Sequence, residues 1–196
     1  QAASLDWPNR PFRYFSDNEP LKALLNNFGA NYGVSVSVSS KIDENIAGKF
    51  TPKTPEEFLN YIARVYNLIW YFDGAVLYVY KADEVHSRLL QLEILTTREL
   101  HQTLVSTGIS DERYRWIAVD HQDLIYLSGP PRYVDLVMQT AEALDNRLSH
   151  KASLIDELFV EFIPLKYASA TDRQILYRDK KMIVPGIASV LRRLVS

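Results

Sequence analysis

The chain has 196 residues, 47% hydrophobic and 23% charged, with a formal net charge of -2 and no cysteine. Those values suit two compact domains plus a remainder, exclude a disulfide framework, a thiolate zinc site and a Cys nucleophile, and give no electrostatic case for nucleic acid or an anionic membrane. No apolar run approaches the roughly 18 residues that span a bilayer.

Taken in chain order, Gln1-Ala2-Ala3-Ser4 is small and polar. It fits the remainder of a cleaved signal and equally an arbitrary start. Phe12 to Phe15 reads as a short strand. Asp17 or Asn18 then offers a helix N-cap, with Pro20 in the first turn. Leu21, Leu24, Leu25, Phe28 and Tyr32 follow at helical spacing, and Gly33 stops the helix. Val34, Val36 and Val38 alternate with serines as in a half-buried strand. Ile46 to Thr51 reads as another strand, weakened by Gly48.

Thr54-Pro55-Glu56-Glu57 is the sharpest local signal. Thr54 caps, Pro55 takes the first helical position and Glu57 closes a capping box. The helix is expected to bury Phe58, Leu59, Ile62, Val65 and Tyr66. Leu68 to Phe72 and Ala75 to Tyr80 then read as a hairpin turning at Asp73-Gly74, both of which would need positive φ. Its aromatics, Trp70, Tyr71, Phe72, Tyr78 and Tyr80, are expected to fill much of the first core. Lys81 to Glu84 is the domain boundary, with each side closing a core of its own.

The second module opens with a strand over 88–94. Thr96 and Glu99 predict a second capping box, for a helix carrying Leu100 and Leu104 that Gly108 ends. Trp116 to Val119 and Leu124 to Leu127 flank a turn at residues 120–123. Ser128-Gly129-Pro130-Pro131 leads into a long helix with a stripe of Tyr133, Leu136, Val137, Ala141, Leu144 and Leu148. Ser149 to Asp156 reads as a linker, Phe159 to Leu165 as a strand, and Ser169 to Asp179 as irregular. Pro185 starts a last helix whose apolar face needs a cover from elsewhere. The fold class is therefore α+β: small mixed modules of strand, helix, strand, strand, helix, and the start of a third.

No catalytic constellation emerges. His86, His101, His121 and His150 are scattered, without metal-ligand spacing. Glu56 and Glu57 lie in a first helical turn, where acids suit the helix dipole. There is no nucleophile elbow and no phosphate-cradling glycine loop. Asp73 is read as a turn residue, and the hairpin aromatics as core. The second module's element order is that of an RNA-binding KH domain, but the Gly-x-x-Gly clamp is missing. The expectation is no enzyme, no cofactor, no metal and no nucleic acid.

Four stretches carry a family resemblance. Residues 67–74 with 76–80 resemble the first periplasmic domain of type III secretion secretins, and residues 28–32 resemble its first helix. Ser128-Gly129-Pro130-Pro131-Arg132-Tyr133-Val134 is similar to the second-domain motif of the same proteins. Tyr177-Arg178-Asp179 and residues 184–188 resemble the segment where the next domain begins. The resemblance implies an N0-like domain over 1–82, a KH-like N1 domain over 85–150, and over 157–196 a linker and the incomplete start of an N3-like domain. It implies the periplasmic part of an outer-membrane ring. The expected partners are copies of itself, the inner-membrane ring protein, and the secreted proteins or needle passing through. Signal peptide, barrel strands and pilot-binding segment are expected outside this chain. A looser likeness is to the signalling domain of TonB-dependent receptors. Ring packing joins unlike faces of neighbours, and Arg132, Tyr133 and Asp135 on the long helix are the candidate interface residues.

Overall fold

The computed structural model describes residues 11–160, 173–177 and 180–184. The chain divides into two compact units, Gln1–His150 and Lys151–Ser196.

In the first unit, β1 (Phe12–Pro20) leads directly into α1 (Leu21–Tyr32). The expected cap at Asp17 or Asn18 is not used. Asn18 instead takes a positive φ of 58° inside a bulge of β1, and Pro20 itself is the N-cap residue. The strand therefore runs longer than the four residues 12–15 read from sequence, because β3 (Asn45–Lys53) pairs with it as far as Pro20↔Asn45. Between them in sequence, but in a different sheet, lies β2 (Ser35–Val38). The helix α2 (Pro55–Val65) has the predicted capping box: Thr54 Oγ accepts from the Glu57 N–H, and the Glu57 carboxylate accepts from the Thr54 N–H. Val65, expected inside, is 53% exposed, since α2 turns its last residue away from the core.

The hairpin of β4 (Leu68–Phe72) and β5 (Val76–Lys81) joins β2 in a three-stranded sheet of order β2-β5-β4, with β2 parallel to β5. Its tip differs from the expectation. The Asp73 N–H donates to the Val76 carbonyl, so Gly74 and Ala75 make the turn. Gly74 alone there has positive φ, 97°. Asp73 is not among the residues with positive φ, and its carboxylate accepts the N–H groups of Ala75 and Val76 at 3.0 and 2.9 Å. Leu21, Leu24, Leu25, Phe28, Phe58, Leu59, Ile62, Leu77 and Val79 are all nearly inaccessible and form the first core, joined by Trp70.

A 3-10 turn at Ala82–Glu84 leads into the second module: β6 (His86–Gln91), α3 (Thr97–Ser106), β7 (Arg115–Val119), β8 (Leu124–Gly129) and α4 (Pro131–Val160). Both capping-box residues of α3 are Thr96 and Glu99, as read from sequence. The sheet order is β6-β8-β7, all antiparallel. Its inner face, Ile125 and Leu127, packs with Leu100, Leu104, Tyr133, Val134, Val137 and Ala141.

The expected linker at Ser149 to Asp156 is helical. Residues 149–156 hold no Gly or Pro, and α4 runs through them. Phe159 and Val160 belong to that helix rather than to a strand. The rest of that expected strand, and the last helix from Pro185, lie outside the described residues. In the second unit, β9 (Arg173–Tyr177) pairs antiparallel with β10 (Lys180–Val184). Gln174-Ile175-Leu176-Tyr177 is rich in strand formers, and this corrects the irregular reading over 173–177; the rest of 169–179 lies outside the described residues.

Candidate functional site: the joint between the two modules

The densest set of long-range polar contacts among the described residues joins β4 and its hairpin tip to the second module. The cause begins with topology. Among the described residues β4 pairs only with β5, so its other edge leaves backbone groups to be satisfied from elsewhere. The Trp70 carbonyl accepts from the Tyr114 hydroxyl and from Arg113 Nη2, the latter at 3.3 Å.

Tyr71 points the other way from Trp70, as strand alternation requires. It is 1% exposed and belongs to the second core, not the first. Its ring meets Tyr133 edge-on at 5.5 Å, and Tyr133 meets Tyr114 at 5.4 Å. The Tyr71 hydroxyl donates to the Ile109 carbonyl at 3.1 Å. Burial pushes the Tyr114 and Tyr133 phenols up to about 12, and Tyr71 higher still. Gly129 is the floor of this cluster. A Cβ there would come within 2.7 Å of Tyr133 Cδ1 and 3.0 Å of Tyr114 Cγ.

Two arginines cross the joint. Arg113 grips the buried carboxylate of Asp111 through Nε at 3.0 Å and Nη2 at 2.6 Å. The guanidinium lies flat over the Trp70 ring, 3.5 Å from its centroid. A cation stacked on Trp stabilises by about 0.5–1 kcal/mol at an exposed site and ~2 when desolvated. Trp70 is held from its other side by Nε1 donating to Asn60 Oδ1 at 3.2 Å.

Arg132, in the first turn of α4, donates through Nε to Asp73 Oδ2 at 3.1 Å and lies over the Tyr78 ring at 5.6 Å. Burial would raise the Asp73 carboxyl. The N–H groups of Val76 and Ala75 and the Arg132 guanidinium outweigh it and hold the group below its ordinary value. A basic residue at a helix N-terminus opposes the dipole, and here the opposing charge is a carboxylate of the same chain.

The three sequence candidates thus have different surroundings. Arg132 is paired inside the chain, Tyr133 is buried at 2%, and Asp135 is exposed. Tyr71, Asp73, Asp111, Arg113 and Tyr114 were missed as joint residues. Asp111-Glu112-Arg113-Tyr114 between a helix and a strand was their only signal. Among the described residues no cluster of His, Asp and Glu is placed to hold a metal ion, and no helix is long and apolar enough to cross a membrane.

Two family models match the chain, over ranges that overlap. Residues 14–81 match the N0 domain of the SPI-1 type 3 secretion system secretin, and residues 54–150 match the bacterial type II/III secretion system short domain. The chain is 33% identical over 190 residues to a type 3 secretion system secretin of Ralstonia nicotianae, covering 97% of this chain and 33% of that protein. It is 32% identical to the SPI-2 secretin of Salmonella typhimurium, covering 97% and 38%. With nodulation protein NolW of Rhizobium fredii it shares 36% identity over 72% of this chain and 61% of that one. The chain therefore spans about a third of the length of the curated secretins it matches. Among solved structures, it resembles InvG N0N1 from the Salmonella SPI-1 injectisome, determined with SpaPQR and PrgHK. The TM-score is 0.65 at 26% identity, covering 71% of this chain and 98% of that one. The InvG of the basal-body model with PrgH and PrgK gives a TM-score of 0.59, covering 93% of this chain and 38% of that one.

Proposed function

Because the chain belongs to the type III secretion secretin family, with its two modules matching the N-terminal domains of that family, we propose that it forms the periplasmic part of a secretin ring. In this reading the ring carries exported proteins across the outer membrane. Its N-terminal layers contact the inner-membrane ring, and its other partners are copies of itself and the secreted proteins or needle in the lumen. The role is structural and not enzymatic. The observation that carries the proposal is the InvG likeness, which spans both modules in order and comes from a chain solved together with PrgH and PrgK. A receptor signalling domain is not favoured, because the likeness continues through the second module.

The domain division we propose keeps the N0-like module over 1–82, the N1-like module over 85–150 and the beginning of a further domain over 157–196. For the ring interface, Asp135 is the remaining charged candidate, exposed on α4. Electron microscopy of the full-length protein in detergent tests the function: closed rings are expected, and monodisperse single copies overturn it. Asp135→Arg should leave the melting curve of this chain within about 0.5 kcal/mol of the parent, as for surface changes generally. It should lower ring yield in the full-length protein. Unchanged yield removes Asp135 from the interface.

A further inference from the structure

The linker between the modules is mostly tied to the first. The Ala82 N–H donates to the Asn67 carbonyl, Glu84 Oε2 accepts from the Lys81 N–H at 2.8 Å, and Glu84 Oε1 accepts from Ser39 Oγ at 2.8 Å. β6 begins at His86. The free pivot is therefore the single residue Val85.

One pivot residue does not by itself fix an angle; two separated contacts beyond it do. Arg113 touches the middle of β4, at Trp70, and Arg132 touches the hairpin tip, at Asp73. Both arginines are rooted at both ends. Asp111 is buried at 4% exposure and holds Arg113 by two bonds, while Trp70 is packed in the first core and bonded to Asn60. Asp73 is fixed by two backbone N–H groups, and Arg132 leaves the first turn of a long helix. Tyr71 lies between the two points, buried among second-module side chains.

We infer that the two modules are held as one rigid body across Val85, and that Arg113 and Arg132 are the residues that lock their angle. The lock is intramolecular, so it is set before any ring forms. It stands apart from the ring reading, because it requires only this chain.

The chain has no cysteine, so two introduced cysteines are the only labelling sites. Spin labels at Asn26 on α1 and Glu142 on α4, both exposed, report the angle by pulsed dipolar spectroscopy. One narrow distance distribution is expected for the parent. The double variant Arg113→Lys with Arg132→Gln keeps a cation for Asp111 but loses the flat stack and the tip contact. It should give a broad distribution while circular dichroism retains the parent spectrum. Arg132→Gln alone changes a pair that solvent already touches; it serves if the double variant fails to fold, and partial broadening is expected from it. A broad distribution in the parent overturns the rigid body. An Arg132→Gln chain as narrow as the parent overturns the tip lock, and a folded double variant as narrow as the parent overturns both.

Discussion

At the scale of single residues, what distinguishes this chain is how few atoms separate its two cores. Trp70 and Tyr71 are neighbours in sequence and belong to different cores. The alternation of a strand sends them to opposite faces, and the second face is occupied by the other module. Sequence reading placed the hairpin and read its aromatics as core. It assigned Tyr71 to the first core because the groups it meets, the Ile109 carbonyl and the Tyr133 ring, lie far along the chain. Asp73 was legible as a turn residue and is one. Its second role, pairing with Arg132, needs the tertiary fold. Gly129 offers a test. Ala at this position forces its methyl into Tyr133 and Tyr114, and overpacking of this kind costs about 1–3 kcal/mol. The melting temperature of Gly129→Ala should fall, and near-ultraviolet tyrosine signals should change. A variant with the parent's melting temperature would show that the tyrosine floor is not tight.

At the scale of elements, both capping boxes were readable because every participant lies within four residues. The end of α4 was not. A polar Ser149-His150-Lys151 looks like a linker, yet nothing in residues 149–156 breaks a helix. Nor was the tie that fastens α4 to the start of α3. Asp145 accepts three successive backbone N–H groups, of Glu93, Ile94 and Leu95, at 2.8 to 2.9 Å. Burial would raise this carboxyl, but the three donors prevail and its pKa is lowered. A lowered folded-state pKa means the charged form is favoured by folding. The contribution is complete above the unfolded value of about 3.9 and is lost as pH falls through the folded value. Asp73 acts in the same direction. Asp145→Asn should therefore be less stable than the parent at neutral pH and show a shallower loss below about pH 4. Denaturant melts across pH 2 to 7 check this (about five units spanning the carboxylate range). Parallel curves for the two proteins would contradict it.

At the scale of the whole molecule, the mixed α/β class and most of the element order were readable from the chain. The coupling between modules was not, because apolar patterns on either side of Lys81 to Glu84 each look sufficient to close a core. In the structure the second core takes Tyr71 from the first module, and Arg113 covers a core tryptophan of the first. That makes 12–150 one body, which in the proposed ring would enter as a preset pair of stacked layers. Hydrogen exchange of the intact chain in rising denaturant tests this most directly, since regions that unfold together share one opening free energy. The account predicts that the most protected amides of α1 and α2 and those of β8 and α4 merge onto one common dependence on denaturant. Exchange of either module at lower denaturant, with the other still protected, would contradict it.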